Sequence, residues 1–408
     1  MKRTSSRWGR TSSRWGSVTL MAAAASLVTA SLACAQPAPD TGSLGAGSSD
    51  ADGGGPGGPE PEDTLPGLDV STVLDGLENP WDVVVAPDGA ILTGQRSGGF
   101  VVSRPDGSTG PVEADLQDLF VASETGLMGI ALAPDFEDSR TVYTCQGHQG
   151  DVTDIRVVSW TVDPEWTALT RTGTVIDGLP TASGRHGGCR LLAMPDGTLF
   201  VGTGDSASPT VPQDPASLGG KVLHITADGA PAPGNPDPAS PVYSLGHRNV
   251  QGLAVQPGTD RLYGVEQGTS RDDEVNLLRA GANYGYRPDR LPFVYDESVP
   301  MTDPVRVPGA VEAVWSSGPS TLATASGAFV TGDAWGEWDG SLVMGIQEES
   351  RLVFLRLAED GESVTHRADG LVGEHGRLRS VTPQPDGSLL VTTDNGENDS
   401  VLRVSPAG

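Results

Sequence analysis

The chain has 408 residues, with 26 Lys and Arg against 53 Asp and Glu and a formal charge of −27. That length suits one large domain or two ordinary ones, and that charge argues against a nucleic-acid partner, whose phosphates need neutralising cations. Lysine is nearly absent, with only Lys2 and Lys221, so an anion held by the mature domain must be held mostly by Arg.

The first 66 residues do not read as part of a packed domain. Residues 3–9 repeat as 10–16 and are basic, and an apolar stretch follows over 18–33. A basic start, a short apolar core and small residues at its end predict a secretory signal over residues 1–35. The core is too short and too polar for a membrane span, which needs roughly 20 apolar residues. Cys34 stands where a bacterial lipoprotein signal places its lipidated cysteine, although Ser31 replaces the preferred Leu; plain cleavage near Ala33 or Ala35 is the alternative. Residues 36–66 are Gly, Pro, Ser, Asp and Glu with almost nothing to bury, which predicts a disordered linker. The expected product is exported, either anchored at the cell surface through a lipid or secreted. Cys145 and Cys189 then remain, and an even pair in an oxidising compartment suggests one disulfide, with two buried free thiols as the alternative.

From residue 67 to 408 one short theme recurs. A polar turn, Pro-Asp-Gly or a variant, leads into a short apolar strand, as in Ala86-Pro-Asp-Gly-Ala-Ile-Leu92 and Met194-Pro-Asp-Gly-Thr-Leu-Phe-Val201. Pro at the first corner and Gly where φ is positive mark each as a hairpin. The theme occurs six times at intervals of roughly 47 to 80 residues, each time after a second apolar run such as Trp81-Asp-Val-Val-Val85. Repeated hairpins without helical periodicity predict an all-β, six-bladed β-propeller. About 340 residues are too many for a single β-sandwich.

Propellers carry function on loops at one mouth of the channel, so the polar, Gly-rich loops are where chemistry is sought. His186, in Gly184-Arg-His-Gly-Gly188, is flanked by glycines that should expose it. Asp205 follows the next hairpin and would orient the imidazole as a base. Arg248 with Asn249 offers planar donors for a carbonyl or oxyanion. Arg377 and Arg379, at i and i+2, would point the same way on a strand and clamp carboxylates, or form a solvated edge pair. The run Asp272-Asp273-Glu274 suits a hard cation such as Ca²⁺ with carbonyls of the Gly-rich loop, or is plain surface acidity.

Together these segments resemble the soluble, pyrroloquinoline-quinone (PQQ)-dependent glucose and sorbosone dehydrogenase family. The resemblance runs from Leu77-Glu-Asn-Pro-Trp81 to the C-terminus and is carried by long motifs in order. Among them are Glu124-Thr-Gly-Leu-Met-Gly129, Gln213-Asp-Pro-Ala-Ser-Leu-Gly-Gly-Lys221, Leu245-Gly-His-Arg-Asn249 and Glu266-Gln-Gly268 through Asn283-Tyr-Gly285. It implies PQQ and Ca²⁺ as cofactors, a sugar substrate, and a quinone or other electron acceptor. By position it implies His186 as general base, Asp205 as its orienting carboxylate, and Arg248 facing the quinone carbonyl with Asn249 beside it. Gly268 and Thr269 would bind Ca²⁺ through their carbonyls, Glu274 and Tyr284 would belong to a second, structural calcium site, Arg377 and Arg379 would bind cofactor carboxylates, and Glu124 would line the substrate pocket. A base and a positioned cation are each worth about 10²–10³-fold or more in such a reaction.

The chain departs from the family in places. Glu348 stands where studied glucose enzymes have a Lys on a cofactor carboxylate, with Arg351 close by; Thr269 replaces a Pro, Arg185 precedes the base, and Cys189 replaces a Gly. The retained base, carboxylate and arginines favour a dehydrogenase. Glu348 and the acidic mouth favour a non-catalytic surface propeller that binds a glycan or protein. A propeller hydrolase such as a lactonase would need converging carboxylates and Asn that the sequence does not suggest.

Overall fold

The computed structural model describes residues 64–407. The expected signal over 1–35, its Cys34, and linker residues 36–63 lie outside the described residues. Thr64 accepts a hydrogen bond from Trp338 Nε1 and Leu65 packs on the core, so residues 64–66, expected in the linker, already lie on the domain.

Strand β1 (Leu68–Leu77) is followed by a meander of β2 (Pro80–Val85), β3 (Ile91–Gln95), β4 (Phe100–Ser103) and β5 (Thr109–Ala114). The next meanders are β6 (Leu127–Leu132), β7 (Thr141–His148), β8 (Asp154–Val162) and β9 (Ala168–Leu179), then β10 (Gly188–Ala193), β11 (Thr198–Thr203), β12 (Lys221–Thr226) and β13 (Val242–Leu245). After them come β14 (Val250–Val255), β15 (Leu262–Glu266), β16 (Glu274–Leu278) and β17 (Trp315–Ser316), and β18 (Thr324–Phe329), β19 (Leu342–Ile346), β20 (Arg351–Leu357) and β21 (Val364–Gly370). The last strands are β22 (Leu378–Pro383), β23 (Leu389–Thr393) and β24 (Asp399–Pro406), and β1 completes their sheet in the order β1-β24-β23-β22. The first two meanders share one eight-stranded sheet, but only through a two-residue parallel contact, Glu113 with Ala168 and Ala114 with Leu169.

The first strands of the meanders follow one another round a ring. β2 packs on β6, β6 on β10, β10 on β14, β14 on β18, β18 on β22, and β22 returns to β2. This is a β-propeller, closed by pairing the N-terminal β1 with the C-terminal β24. Helix is confined to three short segments among the described residues.

The turn chemistry explains the repeat. At Ala86–Ala90, Met194–Thr198 and Gln384–Ser388 the backbone closes on itself, and the Asp of each turn accepts the N–H two residues on. Each such turn joins the first strand of a meander to its second. The turns therefore gather at one mouth of the ring, and the loops that precede the first strands gather at the other.

A buried polar layer crosses the ring between the mouths. Arg190 on β10 pairs with Asp82 on β2 at 2.6 Å and donates from Nε to the Gln251 carbonyl on β14, with its guanidinium over the Trp81 ring. Asp82 in turn accepts from Ile130 N on β6 and Ser380 Oγ on β22. One ion pair thus ties inner strands from all round the ring. On the turn side of it lies an apolar cavity of about 490 Å³.

Cys145 on β7 and Cys189 on β10 form a disulfide, with Cα atoms 5.5 Å apart, that joins two neighbouring meanders. Replacing both residues by Ser is expected to lower stability by about 2–4 kcal/mol, measured as a fall in the denaturant midpoint of the oxidised protein.

Candidate functional site

Pairing of β10 with β11 sets Gly188 opposite Thr203, so the residues flanking the two strands meet at the loop-side mouth. There His186 Nδ1 lies 2.8 Å from Asp205 Oδ1. An ionised carboxylate only accepts, so Nδ1 carries the proton and Nε2 keeps its lone pair. Arg248 Nη2 sits 2.9 Å from that Nε2, and its Nη1 donates to the Gln267 carbonyl. His186 N donates to Glu124 Oε2 at 3.0 Å, which puts Glu124 beside the base.

The expectation that glycines expose His186 is corrected: the residue is 2% exposed. The glycines serve close approach instead. A Cβ on Gly184 would lie 2.0 Å from the Ala122 carbonyl, and one on Gly188 2.4 Å from Gly204 N. His186 itself has φ 50°, and Ser206 and Ala207, just beyond Asp205, have φ 52° and 53°. Such left-handed backbone in non-glycine residues concentrates where a site is over-determined by its surroundings.

Asn249 anchors the neighbouring loops, accepting from Gly188 N and donating to Gln267 Oε1. A second histidine, His247, bonds Glu266 at 2.7 Å and Ser244 at 2.9 Å. That is a Ser–His–carboxylate set, but all three side chains are sealed from solvent, and Glu266 also accepts from Arg248 N. The set therefore positions the loop that carries Arg248.

The acidic run does not act as one cluster. Asp273 spends its carboxylate on the N–H groups of Gly268, Leu322 and Ala323 and on the Thr321 hydroxyl. Asp272 pairs with Arg271, while Glu274 points into the interior beside Asn276 and Thr302. Asp272 and Asp273 lie in the loop before β16 and only Glu274 is on the strand, and no group of three or more His, Cys, Asp or Glu side chains converges among the described residues. The carbonyls of Gly268 and Thr269 accept no hydrogen bond among the described residues, and Thr269 Oγ1 is buried without a partner. Burial, with the Glu266 carboxylate nearby, pushes the Glu274 carboxyl well above its usual range. Thr302 Oγ1 bridges Glu274 and the Tyr284 carbonyl, and Asn276 Oδ1 beside them is buried without a donor.

Arg377 and Arg379 differ in burial. Arg377 precedes β22 and is exposed; Arg379 is buried, bonded to Asp394 at 2.9 Å and to Gln251 at 3.1 Å. A register shift between Leu378 and Val381 breaks the alternation that i, i+2 spacing assumes. Glu348 is exposed just past β19 on the same mouth, and Arg351 is engaged by Glu349 and Asp369.

Sequence reasoning missed the segment between β16 and β17. Tyr295 donates to Asp205 Oδ2 at 2.7 Å, Tyr286 donates to Tyr295, and Glu297 pairs with Arg185, the neighbour of the base. Nothing in the local sequence marks these residues, and Tyr295 and Glu297 lie 90 and 112 positions from Asp205 and Arg185.

Residues 77–403 match the family model described as Glucose / Sorbosone dehydrogenase. Aldose sugar dehydrogenase YliI of Escherichia coli is 28% identical, covering 83% of this chain and 93% of its own length. An uncharacterized Synechocystis protein is 32% identical over 83% of this chain and 87% of its own. Among solved structures, the PQQ-bound form of aldose sugar dehydrogenase from Streptomyces coelicolor superposes with a TM-score of 0.70. It is 31% identical, covering 83% of this chain and 99% of that one.

Proposed function

The chain belongs to the glucose/sorbosone dehydrogenase family, and from that premise we propose that it oxidises an aldose at its anomeric hydroxyl to the lactone, with PQQ and Ca²⁺. The observation that carries this reading is the His186–Asp205 pair with Arg248 on Nε2. When bound, PQQ supplies the two-electron acceptor for hydride leaving the anomeric carbon, and Ca²⁺ polarises it. His186 Nε2 takes the hydroxyl proton, and Asp205 steadies the imidazolium that results. Arg248 donates toward negative charge that develops beside the base. Glu124 lines the sugar's side of the pocket.

The residues present fit these groups. Arg248 Nε and Thr269 Oγ1 are buried donors without partners, as an anionic ligand site would need. The free carbonyls of Gly268 and Thr269 suit the catalytic Ca²⁺, and Glu274 with the Tyr284 carbonyl suits a second, structural one. Asn249 would lie beside the cofactor, and Arg377 and Arg379 remain the candidates for its carboxylates. We read the meanders as six blades, the first two being halves of the eight-stranded sheet. We also read residues 1–35 as an export signal with Cys34 as lipid anchor; the intact mass of the mature chain checks this.

The test is reconstitution with PQQ and Ca²⁺, followed by dye reduction across a panel of aldoses. Sugar-dependent reduction is expected. A chain that binds no PQQ at micromolar concentration would instead be a surface propeller for a glycan or protein, the reading that Glu348 favours. Glu348→Lys is expected to tighten PQQ by about 10-fold, because it exchanges a repelling carboxylate for a donor. Titration of the cofactor's absorbance measures it.

A further inference from the structure

We infer that Tyr295 is a positioning residue for the base: its phenol holds the second oxygen of Asp205 and so sets how strongly that carboxylate grips His186. The inference rests on the function proposed for His186.

Asp205 is fully buried and each of its oxygens has work. Oδ1 takes His186 Nδ1 at 2.8 Å and Ala207 N at 2.8 Å, while Oδ2 takes Tyr295 OH at 2.7 Å. Tyr295 is therefore the side-chain donor to Oδ2. Its own oxygen accepts from Tyr286 OH at 2.9 Å, which makes it a better donor. Its ring lies tilted on the imidazole, with centroids 5.7 Å apart. Burial and the Asp205 charge push the Tyr295 phenol far above its usual range, so it stays protonated and keeps donating throughout the working pH range.

The segment that brings Tyr295 makes a second, independent contact at the same place. Glu297, two residues on, pairs with Arg185 at 2.5 Å, and Arg185 Nη2 reaches 3.4 Å from His186 Nε2. The segment thus acts as a strap across the base, fastened by one buried bond and one solvent-facing ion pair. The charged and titratable groups facing His186 are Asp205 and Tyr295 on one side, Arg248 and Arg185 at Nε2 with Glu297 behind Arg185, and Glu124 at its backbone.

Removing the phenol leaves Oδ2 without its donor. The carboxylate becomes more basic, holds the Nδ1 proton more tightly, and is freer to turn. In Tyr295→Phe, kcat is expected to fall by about 10- to 100-fold, the worth of one hydrogen bond to a buried charge. KM and PQQ binding should change little, and the acid limb of kcat/KM should move to higher pH. The downfield proton resonance of the His186–Asp205 bond, recorded in cofactor-free protein, should also move. Tyr286→Phe, which weakens the donor without removing it, should move the resonance and the acid limb in the same direction by less. An unmoved resonance and acid limb in both variants would overturn the assignment, as would a loss explained wholly by weaker PQQ binding. If the wild-type holoprotein oxidises no aldose, the proposed function fails, and the resonance still decides the role of Tyr295.

Discussion

His186→Ala should lower kcat by about 10²–10⁴-fold in the reconstituted enzyme. The geometry leaves one nitrogen for the task. Nδ1 is committed to Asp205, so Nε2 alone can take the substrate proton, and it lies beside Arg248. Asp205→Asn makes the sharper companion. An amide can turn its NH₂ toward Nδ1, which forces the proton onto Nε2 and presents the sugar with a donor instead of a base. A comparable loss of about 10³–10⁴-fold is expected with no change in packing volume. Steady-state dye reduction at saturating PQQ measures both. Full activity in His186→Ala would remove the base from the mechanism and with it the reading of the site.

Asp82→Ala should be the most destabilising single change outside that site. It strands Arg190 in the channel, where the residue is 6% exposed and its ion-pair partner would be gone. Removing one partner of a buried pair costs about 3–5 kcal/mol, since the remaining charge keeps its desolvation penalty. Ile130 N and Ser380 Oγ lose their acceptor at the same time. The combined change Asp82→Leu with Arg190→Met should cost clearly less than Asp82→Ala, because no charge is left behind. Denaturant midpoints of the three proteins decide this. A midpoint of Asp82→Ala equal to wild type would mean that the ion pair is not what ties the inner strands together.

The same two regions show how far sequence reading reaches. His186 and Asp205 are nineteen positions apart and flank one hairpin, so recognising the hairpin was enough to bring them together. The i, i+2 argument for Arg377 and Arg379 assumes an unbroken strand, whereas Arg377 precedes β22 and a register shift follows Leu378, and such a shift has no signature in those residues. The acidic run at 272–274 looked like a cation site on composition alone; the backbone sent its three carboxylates to three different tasks.

His186 is where the division is plainest. Its identity, its glycine neighbours and its pairing with Asp205 follow from the sequence, as does the repeated turn that builds the sheets, because each depends on residues close along the chain. Its burial, the strap that carries Tyr295 and Glu297, and the ion pair of Asp82 with Arg190 follow only from closure of the ring. Those contacts join residues about a hundred or more positions apart, and local propensity has no means of specifying which distant loops the closed ring will press together.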